Sequence, residues 1–298
     1  MIRSCLALLC LTGSSFLARA AEATSDWQPI TWQGEKAIAS VSQGWKAIVS
    51  LERGRLMHFG PAESDTNLLF APAMRSDPAG WGGHRVWLGP QSTWPSVWPP
   101  PAAWEHSKAE SHTINGGTLR LVMPGAGGGW PRLARIYSWD GAKLACTVEL
   151  SGGTRAGQII QIFQVPPNNR VEVTPRPDAL APLGYILLPA GNVRRLTTEF
   201  TPPPHVTRRE TTLLLRHLAV IQKLGFAPQA LTADDGAHSL RVTRGPQAGK
   251  PLAEPDQGFF TQVYLGGAEP FIELEQLTPT WAPATPASSI VILEGSAR

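Results

Sequence analysis

The sequence predicts an all-β fold, a single large antiparallel sandwich. Three observations point there. Short apolar runs recur along the chain, and no long segment carries helical periodicity. The breaks between the runs hold Gly, Pro, Asn and Asp. Among 298 residues, 28 are Pro and 29 are Gly, which at that density means many turns.

The runs can be taken in order. Ala37–Val41, Lys46–Leu51 and Arg55–Phe59 read as three early strands, with Gly44 and Gly54 in the turns between them. Thr118–Met123 and Arg132–Trp139 follow. Lys143–Leu150 is the cleanest alternation, with Leu144, Cys146, Val148 and Leu150 on one face and Lys143, Ala145, Thr147 and Glu149 on the other. Gln158–Val165, Arg170–Val173 and Tyr185–Leu188 continue the pattern. Thr211–Val220, Ser239–Val242, Phe259–Leu265, Phe271–Leu277 and Ser289–Leu293 complete it, although Leu, Arg and His in Thr211–Val220 also suit a helix. About a dozen strands at near-regular spacing fit one sandwich better than alternating βα units. The Pro-rich stretch Thr201–His205 reads as a loop within a single domain, residues 21–298, because composition does not change across it.

Residues 1–20 read as a secretory signal peptide: Arg3 is followed by an apolar run from Cys5 to Leu17, and Ala18-Arg19-Ala20 offers small residues at a cleavage site. Ala21-Glu22-Ala23 is a second option. The apolar run is too short for a membrane span. Cys10 would suit a lipoprotein, but Leu9 stands where a lipobox needs a small residue. Cleavage after Ala20 removes two of the three Cys and leaves Cys146, so no internal disulfide is expected. Export without disulfides suits a periplasmic or secreted protein large enough to bury a core unaided.

Charge excludes some partners. The 26 basic and 23 acidic residues nearly balance, and Arg194-Arg195 and Arg208-Arg209 are the local basic concentrations. A nucleic-acid partner would require a basic stripe. No later segment is long and apolar enough to span a bilayer. His106 and His112 lack a partner at a metal-ligand spacing. Pro124 to Gly129 is Gly-rich but lacks the strand-to-helix context of a phosphate loop. No metal or cofactor is expected.

The unusual feature is 11 Trp with only 16 % charged residues. Five of them, Trp81, Trp87, Trp94, Trp98 and Trp104, lie in Gly80–Glu105, a Pro-stiffened stretch that also holds His84 and Arg85. Flat indole faces can stack on the C–H patches of a sugar, and a Pro-rich loop loses little entropy on binding. The same rings could instead plug the sandwich. Gly82-Gly83 suggests positive φ or a close backbone approach just before the polar pair. Arg85 could clamp a carboxylate or a hydroxyl, or form an ion pair that pins the loop. Further on, Glu273 and Glu275 share a face with Phe271, while Ile272 and Leu274 face the core. Two carboxylates about 7 Å apart on one face need something between them: an Arg, solvent or a polyhydroxylated ligand.

At GGHRVW, WPPP and FIELEQLTP the chain resembles the GGHR-motif group of the galactose-mutarotase-like superfamily, relatives of aldose 1-epimerase. Gly54-Arg55-Leu56 with Asn67-Leu68-Leu69 resembles that superfamily's opening hairpin and the Asn after it. Lys223-Leu224-Gly225 resembles a Lys-x-Gly element, and Glu273-Leu274-Glu275 with Pro279 the penultimate strand. The resemblance implies a β-supersandwich with a sugar-sized cleft. It implies Glu273 or Glu275 as a base on an anomeric hydroxyl, with His84 as the acid by analogy, since the mutarotase His motifs are not matched around it. Arg85, Asn67, Lys223 and the Trp residues Trp87, Trp94, Trp98 and Trp104 would then line a carbohydrate site. Two readings stay open: a carbohydrate-binding or epimerase-like protein, and a non-catalytic envelope module that binds a glycan or a protein.

Overall fold

The computed structural model describes residues 26–73, 81–94, 99–105, 107–177, 181–188, 206–219, 221–255 and 258–298. The signal segment, Trp98, His106 and the Pro-rich stretch 201–205 lie outside the described residues. The chain opens with a meander of β1 (Gln28–Trp32), β2 (Glu35–Ser42), β3 (Trp45–Ser50) and β4 (Arg55–Pro61). Next come β5 (His84–Gly89), a one-turn helix α1 (Ala102–Glu105), β6 (Ser111–Asn115), β7 (Thr118–Val122), β8 (Arg132–Asp140) and β9 (Lys143–Ser151). The middle holds β10 (Gln158–Val165), β11 (Arg170–Val173), β12 (Ile186–Leu188), β13 (Val206–Arg209) and β14 (Thr212–Arg216). The last part holds β15 (Lys223–Phe226), β16 (Ala230–Asp234), β17 (His238–Ala248), β18 (Pro251–Ala253), β19 (Thr261–Tyr264), β20 (Ile272–Leu277), β21 (Thr280–Trp281) and β22 (Ala287–Ala297).

The predicted all-β class is what the chain adopts, as a large antiparallel sandwich. A six-stranded sheet in the order β12-β15-β19-β20-β10-β5 faces a ten-stranded sheet in the order β13-β14-β11-β16-β17-β22-β9-β8-β7-β6. The β1–β4 meander forms a third sheet, and β18 pairs with β21. The core lies between the two large sheets. Alternation builds it from both sides: Leu144, Cys146, Val148 and Leu150 point inward from β9, and Val86, Leu88, Phe163, Leu274 and Val263 meet them from the six-stranded sheet. Cys146 is a buried filler, and burial pushes its thiol up out of the reactive range.

One expectation changes. Gly80–Glu105 is not one loop, because His84–Gly89 forms edge strand β5 of the six-stranded sheet, paired with β10. The cause is its own alternation, with His84, Val86 and Leu88 facing the core. The strand read in Thr211–Val220 is present as β14, Thr212–Arg216, held between β13 and β11.

Gly82 and Gly83 meet both predictions made for them. Their φ angles are +74° and +73°, and a Cβ would strike the Phe70 carbonyl at Gly82 and the Leu56 carbonyl at Gly83. This tight crossing brings the chain into β5 against the meander.

Candidate functional site

The strand register sets out the site. On the face of the six-stranded sheet turned away from the core, Lys223, Tyr264, Glu273 and Gln164 stand in direct cross-strand register on β15, β19, β20 and β10. One row along, Gln262, Glu275, Ile162 and Arg85 are opposed in the same way, on β19, β20, β10 and β5. The two glutamates of the sequence reading do share this outward face, and Ile272 and Leu274 do point inward.

Ion pairs knit the rows together diagonally. Arg85 Nη1 donates to Glu273 Oε1 at 2.8 Å, and the Gln164 amide donates to the same oxygen at 2.9 Å. Arg85 Nη2 reaches Glu105 Oε1 at 2.8 Å. Glu105 also accepts from the Trp87 indole at 2.7 Å and lies 3.7 Å from Arg55. Lys223 Nζ donates to Glu275 Oε2 at 2.8 Å. Each glutamate has its own cation, Arg85 for Glu273 and Lys223 for Glu275, so charge alternates along the face as a ladder. The ladder is closed at one end and more open at the other, since side-chain exposure rises from 2 % at Arg85 to 7 % at Glu273 and 14 % at Lys223.

Proton affinities differ along the ladder. Burial, with Glu275 adding to it, holds Glu273 above the usual glutamate range, against the pull of Arg85, Gln164 and Lys223. Glu105 goes the other way: burial would raise it, but Arg85, Arg55 and the Trp87 indole outweigh burial and hold it ionised. Burial lowers Arg85, but Glu105 and Glu273 more than restore it. Two carboxyls with opposite shifts on one face are the arrangement from which acid and base roles are drawn.

His84 is placed elsewhere. It is on the core face of β5, fully buried, stacked on Phe163 with ring centroids 4.3 Å apart and planes 4° apart. Its Nδ1 lies 3.4 Å from the Tyr137 hydroxyl. Burial and the nearby Arg135 keep it neutral, well below its ordinary value. It is therefore on the opposite side of the sheet from Glu273, because β5 alternates and Arg85 takes the outward face. A proton from His84 to a ligand on the glutamate face has no path through that packing.

The Trp residues form a plug. Trp87, Trp94 and Trp104 are 4 %, 7 % and 1 % exposed. Trp87 and Trp94 meet edge to face at 5.7 Å, and Trp104 and Trp130 do so at 4.9 Å. Their faces pack on one another rather than standing open for stacking on a ligand. Asn67 is a staple: its Oδ1 accepts from the Phe59 and Leu69 amides, and its Nδ2 donates to the Met57 carbonyl. Sequence reasoning passed over Glu105, Gln164 and Tyr264. Tyr264 was detectable, because it lies within the predicted strand Phe259–Leu265 and is one of only three Tyr.

Two surface grooves of about 400 Å³ and 650 Å³ lie on the outer face of the ten-stranded sheet, lined in part by Arg120, Glu149 and Ser288 and by Lys143, Arg241 and Glu294. Their charged groups form exposed ion pairs, Arg120 with Glu149 and Lys143 with Glu294, whereas the ladder holds buried, mutually fixed charges and is the better candidate site. Among the described residues, no group of three or more His, Cys, Asp or Glu is placed to hold a metal, and no helix is long and apolar enough to cross a membrane.

The architecture has known counterparts. Galactose 1-epimerase from Lactobacillus acidophilus NCFM superposes with a TM-score of 0.56 at 9 % identity, over 92 % of this chain and 99 % of that one. YeaD from Salmonella typhimurium gives 0.53 at 13 %, over 92 % and 94 %. The GalM/aldose epimerase homologue from C. elegans gives 0.51 at 9 %, over 86 % and 96 %. No family model and no curated protein matches the sequence. The chain therefore has the galactose-mutarotase-like β-sandwich fold. At these identities the likeness fixes fold alone, and function has to be argued from the site.

Proposed function

We propose that this is an exported carbohydrate-binding protein, of the GGHR-motif group its sequence resembles, that takes a sugar on the outward face of the six-stranded sheet. Glu273 acts there as the base of an epimerase-type reaction on the anomeric hydroxyl. The observation that carries this reading is the state of Glu273. Its proton affinity is raised by burial, and it is fixed by Arg85 at 2.8 Å and Gln164 at 2.9 Å beside a second carboxylate. A base works best when its pKa moves toward the operating pH, and burial moves Glu273 that way. The fold it shares with a galactose 1-epimerase and an aldose epimerase homologue supports the substrate class.

A second reading also has an observation behind it. Glu273 and Glu275 are 5 % and 2 % exposed and engaged in ion pairs, and the Trp residues are packed together. A closed ladder suits a non-catalytic module that binds a glycan or a protein through another surface.

Intrinsic Trp fluorescence, titrated with neutral and acidic mono- and oligosaccharides, separates the two. Polarimetry then follows anomer exchange of any sugar that binds. The first reading expects saturable binding, with turnover that falls at least ~100-fold in Glu273→Gln. Binding without turnover favours the module. No response to any sugar sinks the carbohydrate reading.

A further inference from the structure

We propose that Tyr264 is the proton donor that works opposite Glu273, a role resting on the sugar-binding reading above. The register carries the inference. Tyr264 and Glu273 are directly opposed on β19 and β20, on one face, and such pairs hold their Cβ atoms about 4.5–5.5 Å apart. A ligand seated over this pair meets a carboxylate and a phenol together.

The neighbouring donors are committed. Arg85 and Gln164 donate to Glu273, Lys223 donates to Glu275, and the Trp87 indole donates to Glu105. The Tyr264 hydroxyl instead reaches the Gly266 carbonyl at 3.5 Å, the long end of a hydrogen bond. Tyr264 is also half-buried, between almost fully buried Glu273 and Lys223, on the side where the ladder becomes more exposed. His84 is enclosed on the other face of the sheet. Burial and the carboxylates Glu273, Glu269 and Glu275 push the Tyr264 phenol up to about 12, so it keeps its proton at neutral pH.

The chemistry balances without a cofactor. Glu273 takes the proton of the anomeric hydroxyl. The C1–O bond to the ring oxygen breaks as the carbonyl forms, and the ring oxygen leaves with the electron pair and takes the Tyr264 proton. Rotation about the C1–C2 bond and the same steps in reverse close the other anomer, returning both protons.

The test compares wild type with Tyr264→Phe, which keeps the ring and its packing. Fluorescence titration gives affinity for whichever sugar the wild type binds, polarimetry gives kcat, and a thermal melt checks folding. The expected result is a kcat lowered ~100-fold or more, with affinity within about 3-fold and an unchanged melt. A kcat within about 3-fold of wild type overturns the proposal while leaving Glu273 in place. Equal loss of affinity and turnover also overturns it, making the hydroxyl a binding group. A wild type that turns over no sugar overturns this proposal together with the catalytic reading beneath it.

Discussion

Arg85 joins Glu273 across an intervening strand. The two stand on β5 and β20 with β10 between them, and the guanidinium spans the gap to a 2.8 Å contact while its other nitrogen holds Glu105 at 2.8 Å. One buried cation thus holds together the strand edge, the sheet centre and the one-turn helix α1.

Arg85→Gln leaves two buried carboxylates without their shared counter-ion. The expected cost is about 3–5 kcal/mol, read by urea denaturation at neutral pH. A cost below about 1 kcal/mol would show that the ladder is dispensable for the fold.

Acid should destabilise the protein from just below pH 6.5. Burial, with Lys46 nearby, lowers His58 to about 4, so the folded state holds it neutral while the unfolded chain protonates it. Stability present above pH 6.5 is lost as pH falls toward 4, on the order of 3 kcal/mol for this one group. His84 acts in the same direction, and Glu105, lowered in the fold, adds a loss below the usual glutamate range. Glu273 has the opposite sign: its raised affinity favours the folded state at low pH and loses that advantage as pH rises through its folded value. Denaturation midpoints of His58→Gln, measured between pH 4 and 7, should show a flatter slope than wild type.

Trp104→Ala should cost about 3–5 kcal/mol, because the ring is 1 % exposed and packed edge to face on Trp130. A melt shifted by less than a few degrees would mean the plug is not part of the core.

Asn67→Ala should cost about 1–3 kcal/mol by leaving the Phe59 and Leu69 amides and the Met57 carbonyl without their partner. Sugar affinity by Trp fluorescence should stay unchanged. A selective loss of affinity would return Asn67 to the binding site.

Much of the architecture was legible in the sequence, for a simple reason. Where a strand buries one face, period two is written into it, and Arg170–Val173 has the predicted bounds; Gln158–Val165 has them too, although it is buried at every position and reads instead as a short run bounded by turns. Strands that bury little leave no such trace: β6 is exposed at all five positions, and β1 at four of five. The pairing of Glu273 with Glu275 on one face followed from parity alone. The placement of His84 did not, because the Trp and Pro around it masked the alternation of β5, and one residue of phase decides which side of a sheet a side chain takes. The links from Arg85 to Glu273 and Glu105 span 188 and 20 positions, a pairing that composition and spacing cannot indicate.

Three buried arginines have a consequence of their own. Arg53 donates to the Trp81 carbonyl, Arg55 to those of Gly82 and Glu105, and Arg135 to those of His84 and Trp104. Both ends of the span from 81 to 105 are therefore gripped by the peptide backbone, which every residue type supplies. Such anchoring is blind to the identity of what lies between. The exposed positions Ser92, Thr93 and Pro99 can thus diverge in sequence while the two attachment points hold and Trp94 stays in the plug.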